Sequence, residues 1–334
     1  GEIHKPAHPR CLRGRPRGFP VAHETSSAPF PPARRSALFD EHRARDATFV
    51  VFAGWDMPLR YSSDTGEHDA VRRAAGLFDL SHMGEIALTG ARAGEALDFA
   101  LVGELSSLAV GGARYTMLCA DDGGVLDDLV VYRTASDAYL VVANAVNTAI
   151  VADTLRDRAA VYEAEVVDET GQWSLLGLQG PAAVAILSPL ADEPVDSLKR
   201  YSAMPARVGG VPAMVARTGY TGEDGFEIFV REGAPELWRM LLEQGQGSGL
   251  VPAGLACRDS LRLEAGMPLY GNELSKDRTP FEAGLGRVVR LDKPCGFVGR
   301  AALAARRDHP VSEVLVGLAG EGRRAPRAGH LVLT

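Results

Sequence analysis

The sequence predicts an α+β fold, and three observations lead to that prediction. Strand-like segments are joined mostly by short turns, helical segments lie between them without strict strand–helix alternation, and no repeat of fixed period occurs. The chain has 334 residues, of which 46% are hydrophobic. That length and apolar content suffice for one large or two to three smaller globular units with buried cores.

Six helices are predicted from apolar residues that recur every three or four positions and from helix-starting residues. They cover residues 67–75, 93–102, 148–159, a short segment opened by Gly180–Pro181, 235–244 and 255–265. Gly76 and Gly245 stand where two of these helices should end. Asn147 is a residue type that caps a helix through its side chain, so it is expected to cap the third helix.

Strands are predicted where β-branched and apolar residues cluster between turn signals. They cover residues 125–133, 139–143, 161–167, 173–178, 214–217, 226–231, 311–319 and 331–334. The first two form one predicted hairpin, and 214–217 pairs with 226–231 across a glycine-rich turn. The chain stops within the last predicted strand, so the final domain is expected to be incomplete.

Composition limits the possible partners. The net charge of −7 argues against nucleic acid as the main partner, and no apolar stretch approaches the ~18 residues of a membrane span. Residues 1–35 hold seven of the 20 prolines, and seven Lys or Arg against two Glu. This basic arm is predicted to be disordered; a transit peptide is the alternative, but its prolines would interrupt an amphipathic helix.

The four cysteines indicate a reducing compartment. Cys11, Cys119, Cys257 and Cys295 are far apart in sequence and form no Cys-x-x-Cys pair. Disulfide frameworks and zinc sites both need closer or regular spacing. A cytoplasmic location is therefore expected.

The segment from Gly219 to Glu227 is the first candidate for chemistry. Its three glycines resemble a dinucleotide loop only loosely, they join two predicted strands and the loop carries two acids, so a hairpin turn is favoured. In the strand that follows, alternation puts Glu227 and Phe229 on one face. A carboxylate on a half-buried face is either paired or functional.

Arg258 and Arg262 are four residues apart on a predicted helix and share one face. Two guanidinium groups in this arrangement suit a bound carboxylate. A salt-bridge ladder with Asp259 and Glu264 is the alternative. The residues alone leave both interpretations open.

A metal site is not predicted. His82 and Glu85 lie close together in Asp79–Glu85, but no third ligand has convincing spacing. His82 is therefore expected to be structural.

Long motifs in a fixed order resemble the aminomethyltransferase (T-protein) family of the glycine cleavage system. They are Phe52–Tyr61, Gly76–Glu85, Gly123–Tyr132, Leu178–Pro181, Arg217–Glu227, Arg258–Gly266, Tyr270–Glu273 and Phe297–Arg300. The resemblance covers roughly residues 36–334.

The resemblance implies a three-domain, cloverleaf-like α+β enzyme. Residues 36–290 would form a folate-binding core of two interleaved domains, and 291–334 the start of a truncated C-terminal β-barrel domain. The cofactor would be tetrahydrofolate and the protein partner the lipoylated H-protein. The reaction would move the aminomethyl carbon from the lipoyl arm to tetrahydrofolate, giving 5,10-methylenetetrahydrofolate and ammonia.

The resemblance also implies roles for single residues. Glu227 matches the glutamate that pairs with the pterin, and Arg258 the arginine that contacts the p-aminobenzoyl-glutamate part. Tyr115 and Asn144 match polar positions near the folate. Glu104 stands where the family has a catalytic aspartate, which orients the folate and balances charge; its side chain is one methylene longer.

Two other functions within the same core are kept as alternatives. One is a folate-dependent demethylase relative. The other is a non-enzymatic folate-binding protein of the iron–sulfur assembly type, whose Lys-Gly-Cys-Tyr motif is only weakly similar to Lys293-Pro-Cys-Gly296.

Overall fold

A computed structural model of the protein describes residues 32–307, 309 and 314–318. The chain divides into two units, Gly1–Pro32 and Ala33–Thr334, and every element below lies in the second. Most of the predicted basic arm is outside the described residues.

The described part of the chain contains eight α-helices. They are α1 (Phe39–Arg43), α2 (Asp64–Arg73), α3 (Ala93–Ala100), α4 (Thr148–Ala159), α5 (Ala183–Leu187), α6 (Ala234–Gly245), α7 (Leu255–Glu264) and α8 (Arg300–Arg307). No helix in this part is long and apolar enough to span a membrane.

Thirteen strands occur in the same described ranges. They are β1 (Thr48–Phe52), β2 (Trp55–Arg60), β3 (Ala75–Asp79), β4 (Gly84–Thr89), β5 (Ala113–Cys119), β6 (Val125–Ala135), β7 (Ala138–Ala143), β8 (Glu165–Asp168), β9 (Ser174–Gln179), β10 (Ala203–Val208), β11 (Val211–Ala216), β12 (Gly225–Val230) and β13 (Leu250–Pro252). Neighbouring strands are antiparallel except β13 and β3, which are parallel.

These strands form three sheets. A hairpin joins β1 and β2; a six-stranded sheet has the order β10-β11-β12-β9-β3-β13, and a five-stranded sheet has the order β5-β6-β7-β4-β8. Both predicted hairpins are confirmed, as β6–β7 and β11–β12. The mixture of antiparallel sheets and interspersed helices agrees with the predicted α+β class.

Strand alternation brings the two large sheets face to face. On the six-stranded sheet, Phe226 and Ile228 join a core with α5 and α6, whereas Phe229 points to the opposite face. On the five-stranded sheet, Val131 joins a core with α3 and α4, whereas Tyr132 points the other way. Phe229 and Tyr132 meet edge to face with ring centroids 5.5 Å apart. A third apolar core therefore lies between the sheets.

A fourth core attaches the later part of the chain to the edge of the five-stranded sheet. Phe297 and Leu303 pack there against Val102, Met117 and Val125. This contact brings residues near 300 close to the end of α3.

Three predictions about local structure were wrong. The strand predicted over 161–167 begins only at Glu165, because residues 160–162 form a 3-10 helix.

The helix predicted to continue to residue 75 ends at Arg73, because Ala75 is fully buried as the first residue of β3 and pairs with Leu250. Asn147 precedes α4 as predicted, but its side chain makes no capping bond. Its amide instead donates to the Asp127 carboxylate at 2.6 Å, since that buried acid needs donors.

The predicted C-terminal β domain is largely outside the described residues. Val314–Leu318, which are described, contain no strand. The remainder of the predicted strand 311–319 and all of 331–334 lie outside the described part, within which no closed barrel is found.

Candidate functional site

The candidate site lies where α7 and the loop before β12 approach the five-stranded sheet. A cavity of about 500 Å³ is lined there by Arg258, Asn144, His82 and Tyr220, among others. A much smaller cavity, of about 10 Å³, adjoins it, and both Glu227 and Arg258 lie on its wall. The fold thus brings these five side chains together from distant parts of the sequence.

Glu227 projects from β12 and is half-buried. Its Oε2 accepts hydrogen bonds from the Thr218 hydroxyl at 2.5 Å and the Tyr132 hydroxyl at 3.1 Å. Among the residues that the structure describes, none donates to Oε1. Its neighbour on β9 is Gly177, which has no side chain to cover the carboxylate. One oxygen is therefore held in place while the other is available to a ligand.

Arg258 lies in the first half of α7, with its guanidinium carbon 4.5 Å from the centre of the Tyr220 ring. No hydrogen bond to this guanidinium is found within the described ranges. Burial lowers the pKa of Arg258, and the nearby Tyr220 and Glu227 act in the opposite direction. The side chain is a cation with unused donors, positioned by an aromatic ring.

Arg262 does not form the second half of a carboxylate grip. Its guanidinium is 97% buried and donates to Asp259 at 2.9 Å and to Glu273 at 2.7 Å. Glu264 pairs instead with Arg72 at 2.7 Å. Arg262 thus holds the segment after α7, and of the two arginines only Arg258 keeps its donors for a ligand.

Tyr115 and Asn144 are joined through one carboxylate. The Tyr115 hydroxyl donates to Asp128 at 3.0 Å, and the Asn144 amide donates to the same group at 2.8 Å. Burial raises the pKa of Asp128 and, with the Asp128 charge, raises the pKa of Tyr115 well above its usual value. Asn144 faces the 500 Å³ cavity, whereas Tyr115 faces a neighbouring one of about 420 Å³.

Glu104 is not on the wall of the cavities that contain Glu227 and Arg258. It follows α3 in a loop, is half-buried, and has its Oε2 3.8 Å from Arg290. Arg290 lines the 420 Å³ cavity together with Tyr115. The structure therefore places Glu104 near the cavity that Tyr115 lines, separate from Glu227, Arg258 and Asn144.

His82 is a cavity residue that sequence reasoning treated as structural. Its ring faces the 500 Å³ cavity, packs edge to face on Phe52 at 5.5 Å, and its Nδ1 is buried with no partner among the described residues. Burial, with the Arg258 charge, lowers the pKa of His82 to about 4, so the ring is neutral near pH 7. The signal available was its place within the long motif Gly76–Glu85.

Comparison with known proteins identifies close relatives. A family model described as the GCVT N-terminal domain matches residues 38–293. The aminomethyltransferase of Streptomyces coelicolor is 58% identical over 304 residues, which cover 90% of this chain and 82% of that protein. The aminomethyltransferase of Cutibacterium acnes is 51% identical over 309 residues, covering 90% and 83%.

A solved structure is also similar in fold. The glycine cleavage system aminomethyltransferase T from Bartonella henselae superposes with a TM-score of 0.75 and 38% sequence identity. The match covers 82% of this chain and 74% of that one.

Proposed function

The chain belongs to the aminomethyltransferase (T-protein) family of the glycine cleavage system, and we propose that the cavities around Arg258 bind tetrahydrofolate. The protein is a folate-dependent aminomethyltransferase, which moves the aminomethyl carbon to tetrahydrofolate and releases ammonia. The observation that carries the proposal for the site is that Glu227 and Arg258 share one cavity, each with unused hydrogen-bonding capacity.

Glu227 suits the pterin end of the ligand. A carboxylate accepts hydrogen bonds from adjacent N–H donors, and Oε1 is the acceptor left for them. The Thr218 and Tyr132 hydroxyls fix the orientation of the group through Oε2.

Arg258 suits the p-aminobenzoyl-glutamate end. A guanidinium binds a carboxylate through two parallel hydrogen bonds, and partial desolvation strengthens that interaction. Stacking on Tyr220 holds the planar group in one orientation. The two ends of the ligand are thus matched by a carboxylate on β12 and a guanidinium on α7.

Tyr115 and Asn144 form a polar wall beside the five-stranded sheet, where Asp128 links them; Asn144 lines the cavity of Arg258, and Tyr115 lines the separate 420 Å³ cavity. Asn144 donates to both Asp127 and Asp128, so its amide orientation is fixed. We assign Tyr115 and Asn144 to the positioning of folate on this wall. Asp128 is the carboxylate that keeps both of them in place.

Glu104 is assigned the charge-balancing role. When bound, tetrahydrofolate supplies the nucleophilic nitrogens of the reaction. A carboxylate at the Tyr115 end orients the reacting group and offsets positive charge as it develops. Arg290, 3.8 Å away, restrains the longer glutamate side chain.

The H-protein is proposed to dock at the mouth of the 500 Å³ cavity. Phe52 and Val146 line this cavity and remain 37% and 59% exposed. Apolar side chains exposed around a cavity are typical of a surface that a partner covers. The lipoyl arm would then enter from this side.

The test is to incubate the protein with aminomethylated H-protein and tetrahydrofolate, and to measure methylenetetrahydrofolate and ammonia together. Equal amounts of both products are expected. H-protein without its lipoyl group is the control and should give neither. Folate binding without either product would contradict the proposal and favour a non-enzymatic folate-binding role.

A further inference from the structure

The last turn of α3 has an unusual set of hydrogen-bond partners. An α-helix leaves its final carbonyl groups without partners in the helix. Here the Ala100 carbonyl accepts from the Arg158 guanidinium at 2.8 Å and the Phe99 carbonyl from the Val298 backbone N–H at 3.2 Å. The Asp98 carbonyl accepts from the Lys293 ammonium. Two of these three donors, Lys293 and Val298, come from nearly 200 positions later in the chain.

The loop that follows, residues 101–105, carries Glu104 and is held in the same way. The carbonyls of Leu101 and Gly103 accept from the Lys293 ammonium at 2.6 and 2.7 Å. The Val102 carbonyl accepts from the Arg290 backbone N–H at 2.9 Å.

Side chains from other elements complete this set of bonds. The Gly103 N–H donates to the Thr116 hydroxyl at 3.0 Å. The Arg114 guanidinium donates to the Glu104 carbonyl, and the Leu105 N–H donates to the Asp98 carboxylate. The backbone on both sides of Glu104 is therefore fixed.

Lys293 is the centre of this arrangement. An ammonium group has three donors, and all three are used on carbonyls of the α3 end and the loop. Its side chain is 98% buried and the ammonium lies 4.4 Å from the centre of the Phe297 ring. No ion pair of Lys293 with a carboxylate is found in the described part of the chain.

A buried cation that bonds only to carbonyls is costly compared with an apolar side chain of similar length. Burial accordingly lowers the pKa of Lys293 to about 8. A methionine would fill the same space without this cost, but it would leave three carbonyls without donors. The role of the lysine is therefore explained by its three hydrogen bonds, which fix the backbone conformation of the loop.

We propose that Lys293 is a positioning residue, which fixes the backbone of residues 101–105 so that the Glu104 carboxylate is held at the Tyr115 end of the site. This inference rests on the proposed role of Glu104. Lys293 lines none of the described cavities around Arg258, Glu227 or Tyr115. Its effect on turnover is consequently exerted through the loop.

The first experiment compares Lys293→Met with Lys199→Met, a matched change of an exposed lysine. Misplacing a catalytic group by about 1 Å costs up to about 100-fold in rate, so Lys293→Met should lower kcat by about 10- to 100-fold. The dissociation constant for tetrahydrofolate should stay within about twofold, because folate contacts are untouched. Lys199→Met should match the wild type. An unchanged kcat in Lys293→Met would overturn the inference.

A double-mutant cycle separates positioning from a general structural role. Residues that act as a unit are non-additive, so Lys293→Met should slow a Glu104→Ala enzyme by no more than about twofold. Losses that multiply would show that Lys293 acts independently of Glu104 and would overturn the inference. A Glu104→Ala enzyme with normal turnover would instead reject the proposed role of Glu104.

A second variant keeps the test decisive if Lys293→Met does not fold. Thr116→Val preserves shape and removes only the hydroxyl that accepts the Gly103 N–H. We expect about a 3- to 10-fold loss of kcat, consistent with one lost hydrogen bond, and no further loss in the Glu104→Ala background. A loss of equal size in both backgrounds would overturn the positioning mechanism.

Discussion

The Glu227–Arg258 wall and the Glu104 loop support their functional side chains in different ways. On β12 and α7, the strand ladder and the helix satisfy the backbone, so the side chains need only local partners such as Thr218 and Tyr220. In the loop after α3, the backbone bonds come from side chains and segments far away in sequence.

This difference has a functional consequence. Ligand-binding groups on regular elements inherit their position from the fold, whereas a group on a loop needs dedicated supporting residues. Changes near Glu227 and Arg258 should therefore alter affinity. Changes at or behind the loop should alter turnover.

The largest expected effect is that of Glu104→Ala. Because the carboxylate is assigned to charge balance and not to folate contact, kcat should fall by about 100-fold or more, while folate affinity changes by less than about twofold. Steady-state kinetics and equilibrium titration with tetrahydrofolate check this. Glu95→Ala, an exposed glutamate on α3, is the control. Equal losses of turnover and affinity would abolish the contrast between the two regions.

Arg258→Met should have the next largest effect, and it should change the affinity for folate instead of kcat. Loss of a charge-assisted bidentate contact is worth about 2 kcal/mol, so tetrahydrofolate should bind about 30-fold more weakly. At saturating folate, kcat should stay within about threefold. Isothermal titration gives the affinity, with Arg200→Met as an exposed control. A variant that binds folate normally would remove Arg258 from the binding wall.

Tyr132→Phe tests the phenol hydroxyl behind Glu227, which bonds both to the carboxylate and to the Thr218 hydroxyl. The change removes the phenol hydroxyl and leaves the Thr218 bond to the carboxylate intact. We expect about a fivefold loss of folate affinity, equivalent to about 1 kcal/mol, with little change in kcat. Titration of the variant checks this. A kcat effect larger than the affinity effect would contradict the division between the regions.

The smallest effect on catalysis is expected for Glu85→Gln. This change tests how the surroundings of the Glu85 carboxyl group differ from those of Glu227. Glu227 receives two hydroxyl donors, whereas both oxygens of Glu85 are buried without a partner among the described residues. Burial, reinforced by Asp168, raises the pKa of Glu85 to about 9.

The folded protein therefore keeps a proton on Glu85 that the unfolded chain releases above its ordinary pKa of about 4.5. Stability should decline as pH rises between about 5 and 9, by at most about 1.4 kcal/mol per pH unit. Glu85→Gln should lack this contribution at unchanged turnover. Denaturant unfolding at several pH values, with Glu165→Gln as an exposed control, measures it. Parallel pH profiles for variant and wild type would refute the assignment.

Much of the fold could be predicted from sequence because the signals are local. The pattern around 148–159 gives α4 with its observed ends, and alternation around Glu227 gives β12 with the carboxylate off the main core. Long motifs also predicted the family. The failed prediction at Asn147 has a tertiary cause, since the buried Asp127 competes for its amide.

The supporting contacts were not predictable in the same way. Spacing makes Arg258 and Arg262 equivalent, but Glu273 binds Arg262 and leaves Arg258 available, and no local pattern reveals that choice. Lys293 stands in a segment that carries no pattern linking it to Glu104. The Lys293 pairing depends on where the fold places residues 190 or more positions apart.

The end of α3 and the loop after it receive hydrogen bonds from residues much later in the chain. This also sets an order of folding events during translation. The 190 residues between Gly103 and Lys293 take about 10–40 s to translate at about 5–20 residues per second. Over that interval both large sheets can form, whereas the Glu104 loop still lacks its ammonium donor. We therefore expect a nascent chain to acquire its folate-binding wall before its competence for turnover.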